Sequence, residues 1–392
     1  MWEKQREYWP RSVRSNGHLT LNGEKMSKST GNFMTLEQLV KKFGADASRV
    51  AIADAGDGVT DANFEEDVAD NNILRLYNLR EWCQEQVANQ SKLRSGPELF
   101  YDKLFSNEMN CLIQECHSHY AATNYKLALK SALYDFTSAR DFYREGTISA
   151  GIGMHKDLIF RYIEMQALLL AVIAPHWAEY VWLEILGKPF TIQNAQFPTT
   201  PPIDPSLSAA YRYSRVISSN ITSADAAQLR KKAKAKVDGP HLKQARRLSI
   251  FVAANFPAWQ EKYIDILRIF WNDQEKTFDE AGLMAEMKKV AGPELKKAMP
   301  FVQTLKRRLL AGEQAEAVFQ RHLAFDELKT LEQLAAGIKK VAGLKELVII
   351  EVDGAGNGVT YPEQQQVKDL PQCAEGSVPG VPSFNFENIL ES

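Results

Sequence analysis

The chain has 392 residues, 45% of them hydrophobic and 24% charged, with 47 basic against 49 acidic side chains for a formal charge of −2. That composition excludes a disordered or fibrous protein, and the length exceeds one ordinary core, so two or three globular domains are expected. The near balance of charge excludes a wholesale polycation, so any nucleic-acid surface must be a local patch.

Cys83, Cys111, Cys116 and Cys373 lack a framework-like spacing and no secretory n- and h-region opens the chain, which favours reduced thiols in the cytoplasm. The longest apolar run, Met165 to Ala174, is about half of the roughly 20 residues a bilayer span requires, so it reads as a buried helix and no membrane partner is expected.

In chain order, "VRSNGHLTLNG" from Val13 predicts a short hairpin turning at Asn16-Gly17, because both residues tolerate positive φ. The stretch "LNGEKMSKSTGNFMTLEQLVKKFG", Leu21 to Gly44, has loop chemistry as far as Thr35. There "TLEQ" is a capping box between Thr35 and Gln38, a helix runs to Gly44, and Asp46 is expected to cap the next. Asp54 to Asp70 carries seven carboxylates and no basic residue. Helix capping by Asp54 or Asp57 and a solvated face account for it better than a metal or acid/base pair.

Phe64 to about Gly187 is strongly helical, with Ile73, Leu76, Tyr77, Leu79, Trp82 and Cys83 at helical spacing. Breaks at Asn89–Gly96, Thr123–Asn124 and Gly146–Gly153 make this a bundle of four or more long helices. "CLIQECHSHY", Cys111 to Tyr120, tempts a zinc reading, but Cys111, Glu115 and His119 fall on one helical face and Cys116 and Tyr120 on another, so plain helix is expected. Trp177, Tyr180, Val181 and Leu183 read as core, and His176 behind Pro175 as a satisfied core or cap residue.

Five prolines between Pro189 and Pro205 then mark a connector that runs from Gly187 to about Asp225. Next comes the one dense basic segment, Arg230 to Arg247, whose Arg230, Lys231, Lys232, Lys234, Lys236, Lys243, Arg246 and Arg247 suit either phosphate contact or a solvated linker. "RRLSIFVAANF" and "LVIIEVD" read as strands on either side of helical patterns from Trp259 to Leu344, a small α+β domain. The glycine pairs in "GIGMHKD" and "DGAGNGVTY" do not continue into a dinucleotide fingerprint, and the second reads as a hairpin turn. The expected division is 1–62, 63–187, 188–240 and 241–392, mainly α with an α+β tail.

Lys25 and Lys28 remain to be explained. Lysine answers a phosphate chain as a mobile point charge with three donors, and Ser27, Ser29, Thr30 and Gly31 add hydroxyls and amides around it. When a nucleophile attacks the α-phosphorus of ATP, charge develops on the departing pyrophosphate, and donors poised there stabilise the transition state more than bound ATP. A loop can close over ATP once it has entered. A P-loop is excluded, since Gly23 is followed by Glu24 rather than by Lys and Ser or Thr.

"KMSKS", Lys25 to Ser29, resembles the motif of class I aminoacyl-tRNA synthetases, and five fixed residues match by chance in roughly one chain in ten thousand of this length. The flanks, "NGHLTLNGEKMSKSTGNFMTLEQLVKKFGADASRVAIADAGD", "DANFEEDVADNNILRLY", "YKLALKSALYDFTSARDFYRE", "MHKDLIFRYIEMQALLLAVIAPHWAEYVW" and the closing "PGVPSFNFENI", are similar to leucyl-tRNA synthetases of the archaeal and eukaryotic cytosolic type. The resemblance implies activation of leucine by ATP with Mg2+ and transfer to leucine tRNA. It implies that Lys28 contacts ATP phosphates, that Lys25 assists, and that Met26, Ser27 and Ser29 shape the loop. The helical region would be the tRNA-docking bundle of the class, and no protein-bound metal is expected.

The departure is a HIGH-type motif: none of the seven histidines stands in an H-x-G-H arrangement, and neither an amino-acid pocket nor an editing domain is visible. The chain thus resembles the C-terminal portion of such an enzyme, expected to be inactive alone and to work with leucine tRNA and a separate catalytic half. The rival expectation is a non-catalytic tRNA-binding or regulatory protein descended from one.

Overall fold

The turn of the first hairpin falls one Asn-Gly pair later than expected. Strand β1 (Leu19–Leu21) pairs antiparallel with β2 (Glu24–Lys25) through Asn22 and Gly23, whose φ angles of 52° and 83° suit a two-residue turn. Gly17, at the pair expected to turn, instead lies under the backbone of Thr60, where a Cβ would stand 2.6 Å from the carbonyl carbon. The computed structural model describes residues 6–10, 12–235, 245–291, 295–353 and 356–389. Two compact units divide it, Met1–Ser208 and Ala209–Ser392.

In the first unit, α1 (Leu36–Phe43) starts at the Thr35 capping box and ends at Gly44, and α2 (Ala45–Ala55) follows directly. Strand β3 (Ala62–Phe64) runs parallel to β1 and completes a three-stranded sheet in the order β2-β1-β3. Leu21, Phe43, Ala51, Phe64 and Ala69 form the small core beneath it.

The bundle comprises α3 (Glu66–Ala88), α4 (Phe100–Ala121), α5 (Tyr125–Leu129) running through a π-helical stretch into α6 (Phe136–Ala150), α7 (Lys156–Leu170) and α8 (Pro175–Tyr180). Its centre is aromatic. Phe105 stacks on Tyr143 at 4.5 Å between ring centroids and Phe136 on Tyr162 at 5.1 Å, and all four side chains are fully buried. Gly146 does not break the chain but lets α6 approach α4, since a Cβ there would meet the Tyr101 ring at 2.3 Å; the break comes at Gly151, in the left-handed conformation. Tyr180, expected in the core, is 40% exposed and faces Arg80, whereas Trp177 and Val181 are buried.

The proline-rich connector is shorter than expected. It ends at Pro205, the first residue of α9 (Pro205–Ala235), because proline is well placed where a helix N–H would have no partner. The second unit is built on a five-stranded sheet in the order β10-β4-β7-β8-β9, made of β4 (Arg246–Ala253), β7 (Glu346–Val352), β8 (Gly358–Tyr361), β9 (Gln366–Val367) and β10 (Ser383–Asn388). Only β4 and β7 are parallel, and α14 (Glu327–Val341) is the crossover helix that packs on β7.

Between β4 and α14 the chain inserts α10 (Glu261–Phe270), the β5–β6 hairpin (Trp271–Asn272 and Thr277–Phe278), α11 (Glu280–Ala291), α12 (Leu295–Leu310) and α13 (Ala315–Phe319). This insert has its own core of Tyr263, Leu267, Leu283, Met287, Val302 and Leu309.

Candidate nucleotide loop and its supports

The loop that carries Lys25 to Ser29 is held at its neck rather than along its length. Ser27 N–H donates to the Asn32 carbonyl at 2.8 Å, closing a bridge, and Gly31 N–H donates to the Lys28 carbonyl at 3.3 Å at the tip, where Gly31 takes φ 77°. The Asn32 amide donates to the carbonyls of Leu21, Glu24 and Lys25 at 3.3–3.4 Å, so one side chain ties both strands of the hairpin to the loop base. Ser27 and Ser29 hydroxyls meet at 2.8 Å, and Thr30 Oγ1 donates to the Ser27 carbonyl at 3.2 Å.

Met26 points the other way and packs, half-buried, on the core of Leu21, Phe43 and Phe64. It anchors the motif on that core. Lys25 and Lys28 are exposed, and neither ammonium has a carboxylate partner among the described residues. The arrangement therefore presents two unpaired cations, hydroxyls and turn amides on one short loop, the donor set that a chain of phosphates requires.

The capping box at Thr35 is formed in both directions, with Gln38 N–H donating to Thr35 Oγ1 at 3.2 Å and Thr35 N–H to Gln38 Oε1 at 2.9 Å. It fixes where the loop becomes helix, a contribution of about 1 kcal/mol.

Asp46 does not cap its own helix. Its Oδ2 accepts from Trp177 N–H at 2.6 Å and its Oδ1 from His176 N–H at 3.4 Å, capping the start of α8 some 130 residues away. His176 is correspondingly an exposed cap neighbour, with Nδ1 3.0 Å from Asp46 Oδ1, and not a core residue. Of the acidic stretch, Asp57 Oδ2 accepts from Lys126 N–H at 3.2 Å at the start of α5, and Asp54 Oδ2 from the Tyr134 hydroxyl at 2.9 Å. Burial, and after it that contact, push the Tyr134 hydroxyl up to about 12.

The basic segment divides differently from its sequence reading. Arg246 is 4% exposed; its guanidinium donates to both Asp225 oxygens at 2.8 and 3.0 Å and to the Ala342 carbonyl at 2.8 Å, so it is a structural ion pair rather than a surface cation. Arg247 is on the surface but bonded to Glu346, with Glu387 at 4.0 Å. Arg230 is exposed on α9; the side chains of Lys231, Lys232 and Lys234, and the whole of Lys236 and Lys243, lie outside the described residues.

Cys116 is buried in α4 and its thiol is pushed up to about 12, while the described residues contain no group of three His, Cys, Asp or Glu able to hold a metal ion. No described helix is long and apolar enough to cross a membrane.

The supports were missed in the sequence reading. Arg14 and Arg49 drew no attention, although each donates to carbonyls at a corner of the bundle: Arg14 Nη1 to Thr123 at 2.8 Å, and Arg49 Nε and Nη2 to Ile173 and Val172, both at 2.8 Å. "GADASR" holds the local signal, an acid and a base three residues apart on one helical face, but their partners are far away in sequence.

Comparison with known proteins gives matches in three regions of the chain. Residues 1–76 match the family described as tRNA synthetases class I (M), residues 102–240 the anticodon-binding domain of tRNA ligase, and residues 252–321 the RagD-binding domain of leucine–tRNA ligase. The chain therefore carries the loop and bundle of a class I aminoacyl-tRNA synthetase. Among relatives, the cytoplasmic leucine–tRNA ligase of Neurospora crassa is 52% identical over 98% of this chain and 34% of its own length. That of Saccharomyces cerevisiae is 44% identical over 98% of this chain and 35% of its own, and that of Pongo abelii 41% over 84% and 28%. The chain belongs to the leucine–tRNA ligase family of the cytoplasmic type, and it spans about a third of the length of the curated relatives it matches.

Proposed function

We propose that this chain supplies the ATP loop and the tRNA-docking bundle of a cytoplasmic leucine–tRNA ligase, acting with a catalytic region that binds leucine. The observation that carries this reading is the exposed loop of Lys25 and Lys28, neither of them paired with a carboxylate among the described residues, fastened to a bundle that matches the anticodon-binding family. Lys28 stabilises the charge that develops on pyrophosphate as the leucine carboxylate attacks ATP, and Lys25 assists. Ser27, Ser29 and the amide of Gly31 hold the loop in shape, and Met26 anchors it. Mg2+ arrives on the phosphates of ATP, where it neutralises charge that the two lysines do not.

Leucine tRNA docks on the bundle, and the basic residues between positions 230 and 247 that the fold does not pair are phosphate contacts of their own. Alone, in this reading, the chain binds tRNA and does not activate leucine, which falls to the catalytic region that binds the amino acid. The test is direct: leucine-dependent pyrophosphate exchange with this chain should equal a no-protein blank, while labelled leucine tRNA should bind with an affinity that falls as salt rises. Exchange well above the blank, or no tRNA binding at low salt, overturns the reading.

The insert of α10–α13 supports a second role. Its match to a RagD-binding domain and its self-contained core favour a protein-docking module, so that the region serves a RagD-type partner as well as synthesis. Loss of RagD capture on deletion of 258–319 with tRNA binding retained is the expected result; capture that survives the deletion contradicts it.

A further inference from the structure

Two corners of the bundle are gripped from the loop-bearing part by the same two kinds of side chain. At the α4–α5 corner, Arg14 Nη1 donates to the Thr123 and Ala122 carbonyls at 2.8 and 3.2 Å, and Asp57 Oδ2 accepts from Lys126 N–H at 3.2 Å. At the α7–α8 corner, Arg49 takes the carbonyls of Val172 and Ile173, and Asp46 takes the amides of His176 and Trp177. In both, a guanidinium meets the carbonyls where one helix ends and a carboxylate meets the amides where the next begins. Each charge opposes the helix dipole it faces; the carboxylates accept from first-turn amides that a helix start leaves without partners, and the guanidiniums take carbonyls of the turn just beyond a helix end.

The grips also lie where they control the loop. Arg14 precedes β1 and Asp57 precedes β3, and these two strands pair in parallel, so the first grip holds the sheet from which the loop springs. Arg14 Nη2 donates to the Asp57 carbonyl at 3.2 Å, which joins the two residues of that grip. Asp46 and Arg49 are both on α2, directly after the helix that closes the loop. A third tie, Trp177 Nε1 to the Leu76 carbonyl at 2.9 Å, binds the gripped corner to α3.

We infer that Arg14, Asp46, Arg49 and Asp57 are positioning residues for adenylate formation: they set the orientation of the Lys25–Ser29 loop relative to the tRNA-docking bundle, so that the two move as one body. The inference rests on the proposed ligase reading and deepens it. None of the four belongs to the loop itself. They act through the hairpin, and a displacement of about 1 Å at Lys28 is enough to cost up to a hundredfold in rate.

The experiment uses the full-length ligase that contains this segment, with leucine-dependent ATP–pyrophosphate exchange measured per titrated active site. Asp46→Ala with Arg49→Ala, and separately Arg14→Ala with Asp57→Ala, should lower kcat about tenfold or more while KM for leucine stays within about twofold. Arg49→Lys, which keeps the charge but not the fork that reaches two carbonyls, should fall between parent and double variant. A kcat within about twofold of the parent in both double variants overturns the inference and leaves the ligase reading intact. Should a double variant fail to fold, Asp46→Asn and Arg49→Lys are read the same way, and unchanged kcat in both overturns it. A parent enzyme without leucine-dependent exchange overturns the ligase reading and the positioning role together.

Discussion

Lys25 and Lys28 on the loop and Arg246 and Arg247 on β4 are two pairs of basic residues that composition counts alike and the fold treats in opposite ways. The lysines stand exposed on a hairpin loop with no carboxylate partner among the described residues, whereas Arg246 is buried on Asp225 and Arg247 is bonded to Glu346. A cation whose counter-ion is built into the fold is part of the frame, and one without is available to a ligand. A basic run in a sequence is therefore not yet a binding surface; the distribution of carboxylates around it decides.

The contrast can be broken from the frame side first. Arg246→Ala leaves Asp225 without its partner in a largely buried site, and the second unit should lose about 3–5 kcal/mol of stability. Denaturant unfolding reads this, and a loss below about 1 kcal/mol would show that the pair is not structural.

Glu327 gives a smaller, pH-dependent effect. Its carboxyl is buried at the start of α14, accepts from Gly380 N–H at 2.8 Å, and has the hydroxyl of Tyr213 beside it. Desolvation holds its pKa above the ordinary carboxylate value, so the native state keeps a proton that the unfolded chain gives up. The resulting stability is complete below the unfolded pKa and is lost as pH rises through the native one. Between about pH 5 and pH 8, well above the unperturbed range, the parent should lose more melting temperature than Glu327→Gln, which stays neutral throughout. Parallel pH profiles would contradict this.

On the loop side, Thr35→Ala removes the capping box and should cost about 1 kcal/mol, with faster amide exchange at Gln38. The smallest effect belongs to Arg247→Ala, whose pair is exposed on both sides and should contribute less than about 1 kcal/mol. A larger loss there would place Arg247 with Arg246 in the frame.

The elements legible in the sequence were those whose signal is local. The capping box at Thr35, the stop at Gly44, and the strands at Arg246–Ala253 and Glu346–Val352 needed only neighbours to be read. The misreadings concern partners. Two Asn-Gly pairs compete for the hairpin turn, and the contact of Gly17 with Thr60, invisible in the spacing, decides between them. Asp46 caps a helix far along the chain rather than its own, and α9 begins inside what prolines marked as a connector, since Pro205 starts a helix as readily as it interrupts one. The loop lysines were proposed from sequence because the KMSKS motif is contiguous. The four residues that grip the bundle were missed because each is defined by a backbone group at least 69 residues away.

We propose that Lys28 is held free for chemistry, whereas Arg246 is held for structure by Asp225. The most direct test sets Lys28→Ala beside Arg246→Ala in the full-length ligase and measures leucine-dependent pyrophosphate exchange and melting temperature for both. Lys28→Ala is expected to lose about a hundredfold or more in kcat with an unchanged melting temperature, and Arg246→Ala to melt earlier with kcat per folded active site preserved. A Lys28→Ala enzyme that keeps its rate within about twofold would contradict it.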